Sequence, residues 1–308
     1  MIKFILLVSL FVIINAKEPI SPIPVEADYD LKKALLGKSL FFDTILSKDR
    51  SVSCFSCHNV YEDGGADSRD VSIGFDHRKG NIQSPTVLNA RYNFVQFWNG
   101  RAKNLKEQAS GPLNNPVEHN MNPQEIEKRL NKIPSYKEEF KSTYGVSYIS
   151  YELVLDAIVE FEKGLTTPNS RFDKYLRGEI NLTDEEVKGY KLFKHYGCIT
   201  CHNGINVGSN SYQKIGTFIP YENKRKYPDR SEVTKNKIDE NVFKVPTLRN
   251  ISKTAPYFHD GSSKTLKEAI TTMSEHNLGM AISDKDANYI ISFLKTLDGE
   301  TPKILNAE

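Results

Sequence analysis

All four cysteines of the chain lie in two short runs that each end in histidine. The runs are Cys54-Phe55-Ser56-Cys57-His58 and Cys198-Ile199-Thr200-Cys201-His202. Each has the spacing C-x-x-C-H, which lets two thiols form thioether bonds to the vinyl groups of one porphyrin. The histidine then presents its imidazole to the iron from the same side. The pattern predicts two covalently attached c-type haems, held by the four thiols and ligated by the two histidines.

The alternative for these residues is one metal ion clasped between two half-sites. Four thiolates, or two thiolates and two imidazoles, can hold a zinc ion in this way. The two copies use every cysteine in the chain, so no thiol remains for a disulfide or a separate zinc site. Two complete copies of the five-residue signature favour haem attachment.

The N-terminal residues have the order of a secretory signal peptide. Lys3 precedes an apolar stretch at residues 4–14, and the small residue Ala16 follows. This order predicts a signal peptide at residues 1–16, cleaved after Ala16. The apolar stretch has about 11 residues, which is short for a membrane span, although an uncleaved anchor is the alternative. Because bacteria attach haem to this motif outside the cytoplasm, we expect a periplasmic protein.

Composition and charge exclude several other classes. The chain has 41 Lys and Arg against 39 Asp and Glu, a net charge of +2 over 308 residues. Such a balance indicates neither a nucleic-acid partner nor a membrane surface. Hydrophobic residues make up 39% and charged residues 26%, which is typical of a soluble protein with no stable membrane insertion.

The chain also repeats itself beyond the haem motifs. Three pairs of segments share one constant offset (85 to 246, 97 to 258 and 105 to 266): Pro85-Thr86-Val87-Leu88-Asn89 with Pro246-Thr247-Leu248-Arg249-Asn250, Phe97-Trp98-Asn99-Gly100 with Phe258-His259-Asp260-Gly261, and Leu105-Lys106-Glu107 with Leu266-Lys267-Glu268. A constant offset over such a stretch is hard to obtain by chance. We therefore predict two cytochrome c-like haem domains related by internal duplication, at residues 17–168 and 169–308.

Mainly helical elements must position these residues. Apolar residues recur at helical spacing over residues 30–42 and 151–165. Capping residues predict three further helix starts, at Thr183, Thr265 and Ser283. The segments 61–93 and 203–244 lack helical spacing and are interpreted as long loops that wrap the haems, with room for a pair of short strands. The predicted fold class is mainly α.

The sixth ligand decides whether a haem transfers electrons or binds a substrate. A thioether opposite an imidazole raises the reduction potential, and the candidates are Met121, Met273 and Met280. Met273 lies on the helix predicted to begin near Thr265. A methionine on a helix often fills a core, so spacing alone leaves the choice open.

Three longer motifs resemble those of the bacterial di-haem cytochrome c peroxidases. They are Pro85-Thr86-Val87-Leu88-Asn89-Ala90, Gln96-Phe97-Trp98-Asn99-Gly100-Arg101-Ala102 and Ala255-Pro256-Tyr257-Phe258-His259-Asp260-Gly261. The resemblance runs from about Gly37 to Gly299. It implies a peroxidatic N-terminal haem with His58 as proximal ligand, and a high-potential C-terminal haem ligated by His202 and Met273.

The resemblance also implies roles for residues near the first haem. Trp98 resembles the family tryptophan between the haems, where an aromatic ring helps electrons to cross. Phe97, Gln108 and Glu118 resemble the residues that line the peroxide pocket. Glu118 would be the acid–base group, which the chemistry needs so that water leaves rather than hydroxide.

A calcium ion at the domain interface is a further family feature. Thr254 and Pro256 match positions that offer backbone carbonyls, which suit a hard cation. The third position is Gln83, where family members have asparagine. The resemblance therefore implies a calcium site with one altered ligand.

The sequence departs from the family in the first domain. Typical members carry a histidine after Ser-Ile-Gly that caps the peroxidatic haem at rest, whereas this chain has Phe75 there. Phenylalanine cannot ligate iron. His77 can replace the missing ligand if the loop shifts; otherwise the haem is open or binds water. With an open haem, the reductive activation of typical members is reduced or absent.

Together these features imply a periplasmic peroxidase that reduces hydrogen peroxide to water. The electron donor would be a small cytochrome c or a similar carrier, and the resemblance implies a homodimer. One rival is a MauG-like enzyme that matures a protein cofactor, but those relatives have tyrosine where Met273 stands. The other rival is a di-haem electron carrier without catalysis.

Overall fold

The computed structural model describes residues 18–223 and 226–308, and within them the fold is mainly helical. The helices are α1 (Leu31–Phe42), α2 (Leu105–Asn114), α3 (Pro123–Leu130), α4 (Pro134–Tyr144), α5 (Tyr151–Gly164), α6 (Arg171–Leu176), α7 (Asp184–His195), α8 (Ser231–Thr234), α9 (Leu266–Leu278) and α10 (Asp284–Lys295). Strands β1 (Tyr212–Lys214) and β2 (Val242–Lys244) form one antiparallel pair. The mainly α class is confirmed, and the short strand pair lies in the second wrapping loop.

The predicted helix starts are confirmed by their caps. Thr183 and Thr265 each accept a hydrogen bond from the backbone of the glutamate three residues later, which completes a capping box. Ser283 accepts from the backbone of Asp286 in the same way. Asp30 caps α1 through the backbone N–H of Lys33. Each cap satisfies an N–H that has no partner within its own helix.

The helices α2, α3 and α4 were not predicted. Pro123 and Pro134 stand at the first positions of α3 and α4, where proline's fixed φ suits a helix. Asn122 caps α3 by accepting from the backbone of Glu125. These local signals were present in the sequence, and in α3 the apolar residues Ile126 and Leu130, four positions apart, are both buried, but each helix is too short for such a pattern to be distinctive.

The duplication is visible as two equivalent helix crossings. In the first domain α1 packs on α5, and in the second α7 packs on α10. A Cβ atom at Gly37 would lie 1.9 Å from the carbonyl oxygen of Ala157, and one at Gly189 would lie 1.9 Å from that of Tyr289. Only glycine permits these approaches, so both halves retain the same close crossing.

The link between the halves, which includes Thr166 and Thr167, is buried rather than exposed. Asn89 and Asn250, which are repeat partners, both have left-handed backbones, with φ of 61° and 58°. Their side-chain amides both donate to Oγ1 of Thr167, at 2.7 and 2.9 Å. Thr167 of the link is therefore held by one asparagine from each half of the chain.

Each end of the described chain packs against the domain formed by the other half of the sequence. Ile20 forms a bridge with Gly204, so the first described residues cover the second domain. Ile304 and Leu305 pack in a core that includes Phe41 of α1. The domain boundary at residue 168 stays a prediction. Each of these end segments packs against the half on the other side of that boundary. The proposed signal peptide lies outside the described residues. Among the helices that are described, none has both the length and the apolar character to cross a bilayer.

A buried ion pair fixes the N-terminal segment to the second domain. Arg249 donates to Asp173 at 2.6 Å, and neither side chain is exposed. The same guanidinium donates to the carbonyl oxygen of Ser21 at 2.9 Å. Leu88 occupies the equivalent position in the first half, so this pair is specific to the second half.

We expect Arg249→Leu to lower the free energy of unfolding of the holoprotein by about 3–5 kcal/mol, because Asp173 would stay buried without its partner. Chemical denaturation followed by circular dichroism measures the change. Arg171→Leu, which removes the half-exposed pair with Glu186, is the control and should cost less than about 1 kcal/mol. Equal losses in the two variants would contradict the prediction.

Candidate active site

Both C-x-x-C-H motifs open into one cavity between the domains. Its volume is about 610 Å³, and its walls include all four cysteines and the histidine of each motif. Each motif begins with a short 3-10 turn, at Cys54–Ser56 and Cys198–Thr200. The turns direct thiols and imidazoles of both domains towards the same interior space.

The two histidines have the geometry of iron ligands. The Nδ1 atom of His58 lies 3.2 Å from the carbonyl oxygen of Gly65, and that of His202 lies 3.4 Å from the carbonyl oxygen of Val207. A carbonyl at Nδ1 fixes the tautomer and leaves Nε2 to bind a metal. Burial lowers the pKa of His58 and lowers that of His202 to about 4. Both rings are therefore neutral, as a ligand must be.

The cysteines fit thioether attachment better than a zinc clasp. Burial raises the pKa of Cys54 to about 12 and that of Cys198 to about 11. A zinc clasp needs four ligands around one centre, and within residues 18–223 and 226–308 no three His, Cys, Asp or Glu side chains come together in a way that could hold a metal ion. A thioether carries no charge, so burial does not oppose it. The thiols, the imidazoles and the cavity together fit one c-type haem in each domain.

Of the three methionines in the described residues, Met273 lines the cavity. It stands on α9, partly buried against a small cluster that includes Phe243. Met121 is only 4% exposed and lies in the core of the first domain, whereas Met280 is 41% exposed. Among the described methionines this arrangement favours Met273 as an iron ligand, and its ligation stays a prediction.

Phe97, Gln108 and Glu118 line the same cavity. The backbone of Phe97 has a φ of 66°, which is strained for a bulky residue. Gln108 is on α2, which begins after its cap at Asn104. The turn after α2 holds Glu118, whose Oε1 accepts a hydrogen bond from the side chain of Asn115 at 2.5 Å.

The environment of Glu118 favours an acid–base role. Burial raises the pKa of its carboxyl, while the hydrogen bond from Asn115 and the charge of Arg101 act in the opposite direction. A carboxyl whose pKa lies above its usual range keeps its proton to a higher pH than an exposed carboxyl, which suits a group that both holds and gives up a proton. The arrangement can therefore move a proton inside the cavity.

Arg101 was quoted in a motif, but the sequence did not indicate its role. Its guanidinium carbon lies 3.3 Å from the centre of the Phe97 ring. It also lines the cavity and acts electrostatically on Glu118. Arg101 therefore stacks on one predicted pocket residue and places positive charge near another.

Trp98 lies where the two domains meet. Its indole Nε1 donates to the carbonyl oxygen of Gln83 at 2.8 Å. Its ring centre is 6.3 Å from that of His259 and 6.4 Å from that of Phe243, both in the second domain. An aromatic ring in this position connects the walls of the two haem pockets.

The three predicted calcium positions also line the cavity. Gln83 is 3% exposed and Thr254 is 8% exposed, and Pro256 belongs to the same wall. The amide nitrogen of the Gln83 side chain lies 3.4 Å from the carbonyl oxygen of Asp67. Calcium binding stays a prediction.

Phe75 and His77 lie outside the cavity wall. The backbone N–H of Phe75 donates to the carbonyl oxygen of Glu118 at 2.7 Å. A Cβ atom at Gly74 would lie 2.2 Å from the carbonyl oxygen of Val117, so this loop packs tightly on the segment that carries Glu118. His77 is exposed, with a φ of 55°. Its ligation of iron would require the loop to move.

The sequence analysis missed Glu162, a buried carboxyl on α5. Glu162 is 5% exposed and lines the cavity. Its Oε2 is buried with no hydrogen-bond partner among the described residues. Burial raises its pKa to about 8, so the native state retains this proton at pH values where the unfolded chain releases it.

We expect the wild-type protein to lose stability relative to Glu162→Gln as the pH rises from about 4.5 towards about 8, because glutamine cannot ionise. The neutral carboxyl contributes fully below the unfolded pKa, and its contribution is lost as the pH approaches the folded pKa. Denaturation midpoints of the holoproteins at pH 5 and pH 9 measure the difference. Glu138→Gln, which changes an exposed residue of α4, is the control. Parallel pH profiles for all three proteins would refute this expectation.

The chain is similar to known proteins over most of its length. A family model described as di-haem cytochrome c peroxidase matches residues 31–181, and one described as cytochrome c matches residues 186–298. The cytochrome c551 peroxidase of Nitrosomonas europaea is 47% identical, over 94% of this chain and 87% of its own. That of Pseudomonas aeruginosa is 41% identical, over 87% of this chain and 79% of its own.

One solved structure extends the comparison to three dimensions. It is a MauG-like protein associated with microbial copper homeostasis, with a TM-score of 0.80 and 28% identity. The match covers 92% of this chain and 94% of that protein. MauG-like similarity is therefore present, at lower identity than that to the two c551 peroxidases.

Proposed function

The chain belongs to the family of di-haem cytochrome c peroxidases, and from this we propose that it reduces hydrogen peroxide to water with electrons from a small cytochrome c or a similar donor. The observation that carries the proposal is Glu118. It is a carboxyl with a raised pKa on the wall of the cavity that Phe97 and Gln108 also line. A protein that only carries electrons needs no such group.

The side chains suggest different roles for the two domains, with peroxide reduction in the first and electron uptake in the second. When bound, each haem supplies an iron that exchanges electrons and, where one face is open, binds peroxide. His58 would hold the first iron through Nε2. Glu118 takes a proton from one peroxide oxygen and gives it to the other, so that water leaves. Reduction of one peroxide to two waters consumes two electrons and two protons.

The second domain receives the electrons. His202 and Met273 would both hold its iron, and a haem with two protein ligands would supply electron transfer at a raised potential rather than peroxide binding. Trp98 lies between the walls of the two pockets, 6.3 Å from His259. Trp98 would provide an aromatic side chain between the two domains that favours electron transfer from the second domain to the first.

Peroxide consumption by the holoprotein tests the function. The protein is mixed with a reduced small cytochrome c, and donor oxidation is followed with and without hydrogen peroxide. We expect donor oxidation to depend on peroxide, with two donors oxidised per peroxide. Donor oxidation that is independent of peroxide would favour the non-catalytic carrier. Oxidation of residues in a partner protein would favour the MauG-like alternative.

Phe75 leads to a prediction about the resting state. Because neither Phe75 nor His77 lines the cavity, we expect the fully oxidised protein to have an open or water-ligated first haem and to react with peroxide without prior reduction. Electron paramagnetic resonance of the oxidised protein measures the spin state. Phe75→His, which introduces the residue typical of the family, should convert this haem to a low-spin form if the loop that carries position 75 moves towards the cavity. Two low-spin haems in the wild type, one with nitrogen ligands on both faces, would overturn the prediction.

The remaining features of the proposal concern location and assembly. We propose export to the periplasm through a signal peptide at residues 1–16, supported by the Lys3 and apolar pattern and by the C-x-x-C-H motifs. We also propose a calcium ion near Gln83, Thr254 and Pro256, which are buried or line the cavity. A homodimer is proposed from the family alone.

A further inference from the structure

Two reciprocal hydrogen bonds join the halves of the molecule. The backbone N–H of Gln83 donates to the carbonyl oxygen of His259 at 2.9 Å, and that of Lys244 donates to the carbonyl oxygen of Trp98 at 2.7 Å. Gln83 and Lys244 are related by the repeat offset, and so are Trp98 and His259. The backbone of the junction therefore has approximate two-fold symmetry.

The side chains at this junction break the symmetry in charge. Gln83 is neutral, whereas its partner Lys244 carries an ammonium group. Lys244 is only 6% exposed and lines the cavity beside Trp98. Burial alone lowers the pKa of Lys244, to about 8, with no described carboxylate opposing the shift. The group is thus mostly charged at neutral pH while lacking an anionic protein partner.

A buried ammonium without an anion is costly, so this position requires a negative partner. The partner must enter the cavity, because Lys244 belongs to the cavity wall. A c-type haem carries two propionate carboxylates, which are anions of the right kind. The fit of this cavity to two haems rests on the thiols and imidazoles described above.

The position of Lys244 in the chain selects the second haem. It is two residues before Pro246, whose carbonyl oxygen, like that of Val207, faces the ring of His202. It also ends β2, in which Phe243 packs near Met273. Lys244 therefore belongs to the wall of the pocket that His202 and Met273 enclose.

We propose that the ammonium of Lys244 binds a propionate of the second haem and raises the reduction potential of that haem. A cation near the iron favours the reduced form, which carries one positive charge less. Pairing also neutralises a carboxylate that would favour the oxidised form. The proposal depends on haem attachment and not on peroxidase activity.

Redox titration of the purified holoprotein, followed by optical spectra of each haem, tests the proposal. Lys244→Gln introduces into the second half the residue type of Gln83, which stands at the equivalent position of the first half. At the potential where the wild-type second haem is half reduced, we expect this variant to have a ratio of oxidised to reduced haem about tenfold higher, a shift of about 59 mV for one electron. Lys244→Arg, which retains the charge, should stay within about threefold of the wild type.

Lys237→Gln is the matched control, because it removes an exposed lysine of the same domain and should leave both potentials unchanged. A Lys244→Gln potential equal to that of the wild type, or a shift confined to the first haem, would overturn the proposal. If Lys244→Gln yields no holoprotein, Lys244→Arg decides. A Lys244→Arg holoprotein with the wild-type potential would support the need for a positive charge at this position. If neither variant yields holoprotein, the proposal is refuted. Peroxide turnover is not needed for any of these outcomes.

Discussion

We expect Glu118→Gln to lower the rate of peroxide turnover by about 100- to 10,000-fold, the range that a positioned acid–base group contributes. Glutamine keeps the shape of the side chain but cannot accept and return a proton. The hydrogen bond from Asn115 to Oε1 can persist, since the amide oxygen of glutamine also accepts. The loss should therefore fall on turnover and leave haem content and the second-haem potential unchanged.

Steady-state assays with the half-reduced holoprotein measure this effect. Glu138→Gln, an exposed substitution in the same domain, controls for a change of net charge. The pH profile provides a second readout, because the acid–base group titrates in the wild type and is absent in the variant. Equal turnover in Glu118→Gln and wild type would remove Glu118 from the proton path. Negligible turnover in both would favour the electron carrier.

Met273→Leu is expected to lower the potential of the second haem by on the order of 0.1 V, within the roughly 0.8 V range that axial ligation sets. Leucine matches the volume of methionine but has no sulfur to bind iron. Electron delivery from the donor should slow accordingly. Redox titration and the spin state of the second haem measure the change independently of peroxide.

Met280→Leu is the matched control for this prediction. It lies just beyond α9 and is 41% exposed, so the substitution should change neither potential nor spin state. Met273→Tyr would introduce tyrosine, the residue that the family resemblance implies at this position in MauG-like enzymes. An unchanged second haem in Met273→Leu would show that another residue is the sixth ligand, and would reopen the choice between the two proposed enzyme classes.

The sequence by itself determined the features whose cause is local. The spacing of the C-x-x-C-H motifs dictates haem attachment, because thioether geometry involves residues three apart. Capping boxes at Thr183 and Thr265 determined where α7 and α9 begin, since an N-cap bonds to a backbone N–H three residues away. The constant repeat offset indicated two related domains, because duplicated segments keep their spacing along the chain.

Features that depend on distant contacts were decided by the tertiary structure alone. Spacing could not choose among Met121, Met273 and Met280, because burial and access to the cavity arise from the packing of whole domains. The chain termini cross between the domains for the same reason. No local pattern marks Glu162 or Lys244 as buried, and these two ionisable side chains became informative only when folding enclosed them in the cavity wall without an oppositely charged protein partner.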